Sequence, residues 1–148
     1  MILQQTPLYD LCVNAGGRMV PFAGWEMPVQ FSSVLKEHEA VRKEVGLFDI
    51  SHMGVLLLEG QNPKDALQTL VPSDLQRIGK GEACYTLLLN KNGGVIDDLI
   101  IYDLGNNNNG QESILIIINA SRYEVDLNWI KQHLKIHHIS ISNAKENK

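Results

Sequence analysis

The alternation of apolar and polar positions changes its rhythm near residue 53 of this 148-residue chain. Before that point, the pattern predicts a helix at 6–15 and a second helix at 33–44. Between them it predicts two extended segments, at 18–22 and 27–30, on either side of a turn at 23–24. Thr6 has the residue type of a helix N-cap and is followed by proline, as at many helix starts. In and just after the second helix, Val34, Val41 and Val45 are predicted to point inward.

From residue 53 onward, short strands alternate with two helices in the order β-α-β-β-β-α-β. The strands are predicted at 55–59, 84–89, 95–103, 113–119 and 136–141, and the helices at 63–71 and 121–134. Ser121 and Glu124 have the spacing of a capping box. The apolar face of the last helix is predicted at Tyr123, Leu127, Ile130 and Leu134. This order predicts an α+β fold with antiparallel or mixed sheets and packed helices, including a ferredoxin-like split βαβ unit with one extra strand.

Composition and charge exclude several classes of function. The chain is 44% hydrophobic and 20% charged, as in a soluble globular protein, and its 13 basic and 17 acidic residues give a net charge of −4. Without a basic segment, a nucleic-acid partner is not expected. The N-terminus has no basic and then apolar leader, and no apolar run approaches the roughly 20 residues that span a bilayer, so no membrane partner is expected. Cys12 and Cys84 are predicted to be reduced thiols in a cytoplasmic protein.

Two adjacent carboxylates, Asp97 and Asp98, interrupt an apolar run that otherwise predicts a buried strand. Burying one ionised carboxylate without partners costs several kcal/mol, which is comparable to the stability of a whole domain. Because side chains alternate along a strand, Asp98 is predicted to share a face with Ile100 and Tyr102, and Asp97 to lie on the other face. Two interpretations follow: an edge strand with one carboxylate in water, or a cavity in which Asp98 binds a basic nitrogen of a flat heterocycle.

Other polar motifs give weaker signals. His38 lacks the second histidine of an HExxH zinc motif, and no metal site is expected. Asp49, Ser51 and His52 are the residue types of a catalytic triad, but a triad is defined by spatial geometry and no GxSxG motif accompanies them. The segment 24–28, which contains a tryptophan, a glutamate and a proline, is interpreted as a packed corner.

Five segments, taken in order, resemble one family. They read Thr-Pro-Leu-Tyr, Pro-Phe-Ala-Gly-Trp-Glu-Met-Pro-Val-Gln, Val-Gly-Leu-Phe-Asp-Ile-Ser-His-Met-Gly, Asn-Gly-Gly-Val-Ile-Asp-Asp and Ile-Asn-Ala-Ser, at 6–9, 21–30, 45–54, 92–98 and 118–121. Over residues 6–134, the chain resembles the N-terminal portion of the aminomethyltransferase of the glycine cleavage system, the T-protein. The resemblance implies a folate-binding aminomethyltransferase fold without the family's C-terminal β-rich domain. It implies that residues 1–52 are an N-terminal segment contributing to the first folate-binding subdomain. Residues 53–142 are then a ferredoxin-like β-α-β-β-β-α-β portion, and residues 143–148 are a polar tail.

The resemblance also implies a function. Family members take a methylene unit from the aminomethyl-lipoyl H-protein, transfer it to tetrahydrofolate and release ammonia. Asp98 matches the family's key carboxylate and is the implied catalytic residue. The implied folate contacts are Met53, Tyr85, Asp98, Ile100, Tyr102 and Asn119. Tetrahydrofolate and the lipoylated H-protein are therefore the implied cofactor and partner. Two alternatives stay open: a non-catalytic folate-binding module related to iron–sulfur cluster maintenance, and an inactive fragment.

Overall fold

The computed structural model describes residues 2–135 and 138–145. The chain forms two compact units, divided between His52 and Met53. Within the described ranges, no helix combines the length and the apolar character that crossing a membrane requires.

The first unit is a small three-stranded sheet with two helices. Its elements are β1 (Gln4–Gln5), α1 (Tyr9–Asn14), β2 (Met19–Phe22), β3 (Trp25–Pro28) and α2 (Val34–Lys43). The central strand β3 is parallel to β1 and antiparallel to β2. Ala23 and Gly24 have positive φ angles of 50° and 84°, as a type I′ hairpin turn requires, so the turn predicted at these positions is confirmed.

The predicted cap of the first helix is wrong. The N-cap position of α1 is occupied by Leu8, two residues after Thr6. Thr6 is buried, and its hydroxyl donates to Asp49 Oδ2 at 2.5 Å. A hydroxyl that is bonded to a carboxylate distant in sequence is no longer available to the helix end.

The predicted burial of the second helix is also wrong. α2 buries none of its residues. The three valines predicted to point inward are exposed, with exposed fractions of 57%, 42% and 82% for Val34, Val41 and Val45. Apolar spacing marks a face of a helix, but that face is buried only where another element packs on it.

The second unit is a five-stranded antiparallel sheet with two helices on one face. Its elements are β4 (Gly54–Gly60), α3 (Pro63–Gln68), β5 (Ala83–Leu89), β6 (Val95–Asn106), β7 (Glu112–Ile118), α4 (Tyr123–Leu134) and β8 (Ser140–Asn143), with short 3₁₀ helices at Leu75–Arg77 and Ala120–Arg122. The strand order is β5-β6-β7-β4-β8. Because β4 and β6 both pair antiparallel with β7, they run parallel to each other on its two sides, which is the split βαβ arrangement. The predicted ferredoxin-like topology is confirmed, with β5 as the extra strand at the edge.

The core of the second unit lies between the helices and one face of the sheet. Along β4, every second residue is buried, and Leu56 and Leu58 have no exposed surface. The predicted apolar face of α4 is confirmed, because Ile130 and Leu134 are buried and the other two residues of that face pack against the same cluster.

The start of α4 and the position of the last strand differ from the prediction. Ser121 lies within the 3₁₀ helix that precedes α4, the N-cap position is Arg122, and α4 has no side-chain cap. The predicted capping box is therefore wrong, since the tighter 3₁₀ turn places Ser121 before the helix end that it was to cap. The last strand, β8, begins at Ser140, and residues 136 and 137 of the predicted strand lie outside the described residues.

Candidate functional site

The two adjacent carboxylates lie on an interior strand and point to opposite faces of the sheet. Asp97 pairs with the fully buried Leu88, and Asp98 pairs with Leu87, both on β5. The interpretation of an edge strand is wrong, because β6 has β5 on one side and β7 on the other. The core face therefore carries Asp97, and the face away from the helices carries Asp98.

The face that carries Asp98 is a partly exposed sheet surface. Ile100 and Tyr102 follow Asp98 on this face and are half-buried, as the alternation predicted. Tyr85 on β5 pairs with Ile100, which makes it a diagonal neighbour of Asp98. The Tyr85 hydroxyl donates to Asp98 Oδ2 at 3.1 Å, although Tyr85 is 67% exposed. This hydrogen bond and the negative charge of Asp98 raise the pKa of Tyr85, because both favour the protonated phenol.

Asn119 connects the two carboxylates across the strand. It follows the last residue of β7, and the pairing of Ile118 with Leu99 brings it beside Asp98. Its Nδ2 donates to Asp98 Oδ1 at 3.2 Å, to the Asp98 carbonyl at 3.1 Å and to Asp97 Oδ1 at 3.1 Å. Each carboxylate oxygen of Asp98 thus accepts a hydrogen bond from a neutral donor, and the two faces of β6 share one amide.

Met53, the remaining implied folate contact, immediately precedes β4. Gly54 pairs with Ile118, so the backbone at Met53 lies at the same end of the sheet as Asn119. Gly54 has no room for a side chain, because a Cβ there would lie 2.5 Å from the Tyr123 ring and 2.6 Å from the Ile118 side chain. Glycine at this position lets α4 pack directly on the strand that follows Met53.

Two surface clefts of the second unit are formed by other residues. One, of about 440 Å³, lies between α4 and β8 and is lined in part by Lys131. The other, of about 450 Å³, is lined in part by Trp129. Asp98, Tyr85 and Asn119 line neither cleft. These three side chains instead form a hydrogen-bonded group on the sheet surface.

Asp126 is a polar core residue that the sequence interpretation missed. It lies on α4 with an exposed fraction of 0%, and the carboxyl of Asp97 is within hydrogen-bonding reach. Burial raises the pKa of Asp126 to about 7, and the neighbouring Asp97 acts in the same direction. The signal was present in the sequence, because position 126 lies four residues before Ile130, within the predicted apolar face, where a carboxylate does not fit the pattern.

The other acidic motif, in the first unit, has a structural role. Asp49 accepts hydrogen bonds from the hydroxyl of Thr6 at 2.5 Å and from the N–H of Ser51 at 2.9 Å. Burial alone would raise the pKa of Asp49, but these hydrogen bonds outweigh it and lower the pKa. The ring of His52 packs edge-on against Phe22, with 5.7 Å between centroids. The bond to Thr6 thus connects the residue that follows β1 with Asp49, near the C-terminal end of the first unit.

Comparison with known proteins assigns the chain to a family. Residues 8–147 match the GCVT N-terminal domain. The chain is 66% identical over 147 residues to the aminomethyltransferase of Prochlorococcus marinus (strain MIT 9303), covering 99% of this chain and 39% of that protein. It is 60% identical over 147 residues to the aminomethyltransferase of Synechococcus sp. (strain WH7803), covering 98% of this chain and 40% of that protein.

A solved structure has the same fold. The glycine cleavage system aminomethyltransferase T from Bartonella henselae matches with a TM-score of 0.84 and 33% sequence identity, over 95% of this chain and 38% of that chain. The fold and these matches define a domain of a transferase. The chain belongs to the aminomethyltransferase family of the glycine cleavage system and corresponds to its N-terminal domain. It spans about 39% of the length of the curated relatives named above.

Proposed function

We propose that this chain forms one wall of the tetrahydrofolate site of a glycine cleavage aminomethyltransferase. In the proposed reaction, the carbon–nitrogen bond of the aminomethyl group on the lipoyl arm of the H-protein breaks. The carbon–sulfur bond to the lipoyl arm breaks as well, and the methylene carbon bonds to two nitrogens of tetrahydrofolate. The two protons that these nitrogens lose end on the departing ammonia and on the lipoyl sulfur, so the lipoyl arm is released as the dithiol. The products are 5,10-methylenetetrahydrofolate, ammonia and the dihydrolipoyl H-protein.

The observation that supports this proposal is the environment of Asp98. Its two carboxylate oxygens accept hydrogen bonds from Tyr85 and Asn119, which are both neutral. The ion pairs Lys43–Glu39 and Lys64–Asp103 of the described residues do not involve Asp98, so neither of these lysines balances its negative charge. A carboxylate fixed in this way on a rigid strand suits a ligand that presents an N–H group or a positive charge.

We assign Asp98 the role of orienting the folate nitrogens and stabilising the positive charge that develops on nitrogen as the bonds exchange. Proton transfer by Asp98 is a secondary role in this scheme. Ile100, Tyr102 and Tyr85 supply apolar and aromatic surface beside the carboxylate, which suits the flat pterin ring. Met53 and Asn119 complete the proposed folate-binding residues of this chain.

The remaining parts of the proposal concern partner and compartment. The lipoylated H-protein is the proposed partner, because it carries the aminomethyl group in this family's reaction. The thiols of Cys12 and Cys84 are free, which supports a reducing compartment, and we propose that the reaction takes place in the cytoplasm.

The test of Asp98 uses a full-length enzyme in which this chain replaces the matching portion of the Prochlorococcus marinus (strain MIT 9303) aminomethyltransferase. Ammonia release from aminomethylated H-protein is measured with tetrahydrofolate present. Asp98→Asn keeps the shape and removes the charge, and we expect a rate decrease of about 100-fold. Asp65→Asn, at an exposed position of α3, is the matched control and should retain the parent rate. An unchanged rate for Asp98→Asn would show that the electrostatic role is wrong.

Calorimetric titration of the 148-residue chain with tetrahydrofolate separates the alternatives. A pocket normally surrounds most of its ligand, and this chain supplies one wall, so we expect weak or undetectable binding. Micromolar affinity together with an inactive chimera would favour the non-catalytic folate-binding module. Weak binding together with an inactive chimera would favour the inactive fragment.

A further inference from the structure

The second unit contains a pair of carboxyl groups on the core side of the candidate site. Asp126 is fully buried, and no N–H or hydroxyl group of the described residues donates to either of its oxygens. The inner oxygen of Asp97, Oδ2, also lacks such a donor. The two carboxyl groups are nevertheless within hydrogen-bonding reach of each other. Two ionised carboxylates cannot form a hydrogen bond, so this arrangement requires one proton between them.

We propose that Asp126 is a positioning residue of the candidate site: as a neutral acid it donates to Asp97 Oδ2, and Asp97 in turn fixes the Asn119 amide that binds Asp98. The functional role of these contacts rests on the proposed function, because Asp98 is the residue that would bind folate. The contacts themselves can be tested without folate, so their failure is distinct from a failure of the proposed function.

The surroundings decide which of the two acids carries the proton. Asp97 accepts a hydrogen bond from Asn119 through Oδ1. Asp126 has no comparable donor and is fully buried, which disfavours its charged form. The charged groups that influence Asp126 are Asp97 and Asp98 on β6 and Arg122 in the 3₁₀ helix. Burial and the two aspartates raise the pKa of Asp126 to about 7, whereas Arg122 acts in the opposite direction.

The single proton has a geometric consequence. The Asn119 Nδ2 group reaches both Asp97 Oδ1 and Asp98 Oδ1, so the position of Asp97 affects how the amide meets Asp98. With Asp126 neutral, Asp97 is bonded on its inner oxygen by Asp126 and on its outer oxygen by Asn119. With Asp126 ionised, two like charges face each other in a buried space, and the bond between them is lost.

The test is an NMR titration of the whole 148-residue chain, with ¹³C at the aspartate carboxyl carbons and ¹⁵N at the asparagine side chains. We expect the Asp126 carboxyl to titrate with a midpoint near 7, against an ordinary value of 3.8. The Asn119 side-chain amide resonances should shift with the same midpoint. A midpoint of Asp126 below 5, or an Asn119 amide that does not follow it, would overturn the proposal.

Two variants separate positioning from space filling. Asp126→Asn keeps a donor for Asp97 Oδ2, so the Asn119 amide should stay at its hydrogen-bonded chemical shift and lose its pH dependence. Asp126→Leu fills the space without a donor, so the Asn119 amide should move toward the chemical shift of a free amide. If Asp126→Leu left the Asn119 amide unchanged, Asp126 would be only a filler of the core.

If the leucine variant does not fold, Asp97→Asn provides the second measurement, since it should lower the titration midpoint of Asp126. An unchanged midpoint there would contradict the pairing.

Discussion

The buried acid Asp126 should make the stability of this protein fall as the pH rises. In the folded chain its pKa is about 7, whereas the ordinary value is 3.8. Between these two values, the folded state binds a proton that the unfolded state has released. The free energy of unfolding therefore decreases with increasing pH in this window and becomes constant again above the folded pKa. The substitution Asp126→Asn removes the ionisation and keeps the size and a hydrogen-bond donor.

The magnitude follows from the displacement of the pKa. Each pH unit corresponds to about 1.4 kcal/mol, so the change from 3.8 to about 7 corresponds to about 4 kcal/mol. This is an upper bound, because local opening of α4 lets water reach the charged carboxylate. We expect the stability advantage of Asp126→Asn over the parent chain to be small near pH 4. It should grow to about 2–4 kcal/mol near pH 8.

The assay is urea denaturation of the parent and the variant at a series of pH values, followed by circular dichroism. The difference between the two chains cancels the titration of the groups that they share. Glu124→Gln is the matched control, because Glu124 lies in the same first turn of α4 but is exposed, and its difference from the parent should not vary with pH in this way. A constant difference between Asp126→Asn and the parent from pH 4 to pH 8 would refute the reasoning.

Three further predictions concern the second unit. Gly54→Ala should destabilise the chain by about 1–3 kcal/mol in urea denaturation, because the new Cβ would lie 2.5 Å from a tyrosine ring of α4. Lys64→Met should cost about 3–5 kcal/mol near neutral pH, since it leaves the buried carboxylate of Asp103 without the Nζ partner now at 2.5 Å. Burial acts to raise the pKa of Asp103, but its hydrogen bonds outweigh burial, and the net pKa is lowered. The stabilisation that the charged Asp103 provides is therefore lost as the pH falls, and the cost of Lys64→Met should shrink in acid. Asp98→Asn should lower the pKa of Tyr85, measured from the ultraviolet absorption of the phenolate.

Each of these predictions has a control within the chain. Gly79→Ala adds a Cβ with only a side-chain oxygen at 3.7 Å nearby, so it should be close to neutral, and equal losses at both glycines would contradict the packing argument. Lys43→Met removes the exposed partner of Glu39 and should cost less than about 1 kcal/mol. Asp65→Asn should leave the tyrosine titration unchanged, and an unshifted titration in Asp98→Asn as well would show that Asp98 does not interact with Tyr85.

The local pattern of the sequence predicted the second unit well. Strand alternation assigned Asp98, Ile100 and Tyr102 to one face of β6, because a pleated strand reverses its side chains at every residue. Helical spacing assigned the core face of α4, because residues three and four apart lie on one side of a helix. The order of the helices and strands was enough to predict the ferredoxin-like topology. For the cap of the first helix, where the prediction failed, the deciding contact was distant in sequence. The Thr6 hydroxyl bonds to Asp49 instead of to its helix. The valines of α2 are exposed, and their prediction failed because apolar spacing cannot show whether another element packs on them.

The sequence by itself determined that two carboxylates share a strand and point apart, because that follows from backbone geometry alone. Only the tertiary structure decided that they are connected. Asp97, Asn119 and Asp126 come from β6, from the end of β7 and from α4, and no periodicity relates their positions. Their meeting depends on the register of two strands and on the packing of a helix over the sheet. The environment that raises the pKa of Asp126 and binds Asp98 is therefore a property of the folded chain.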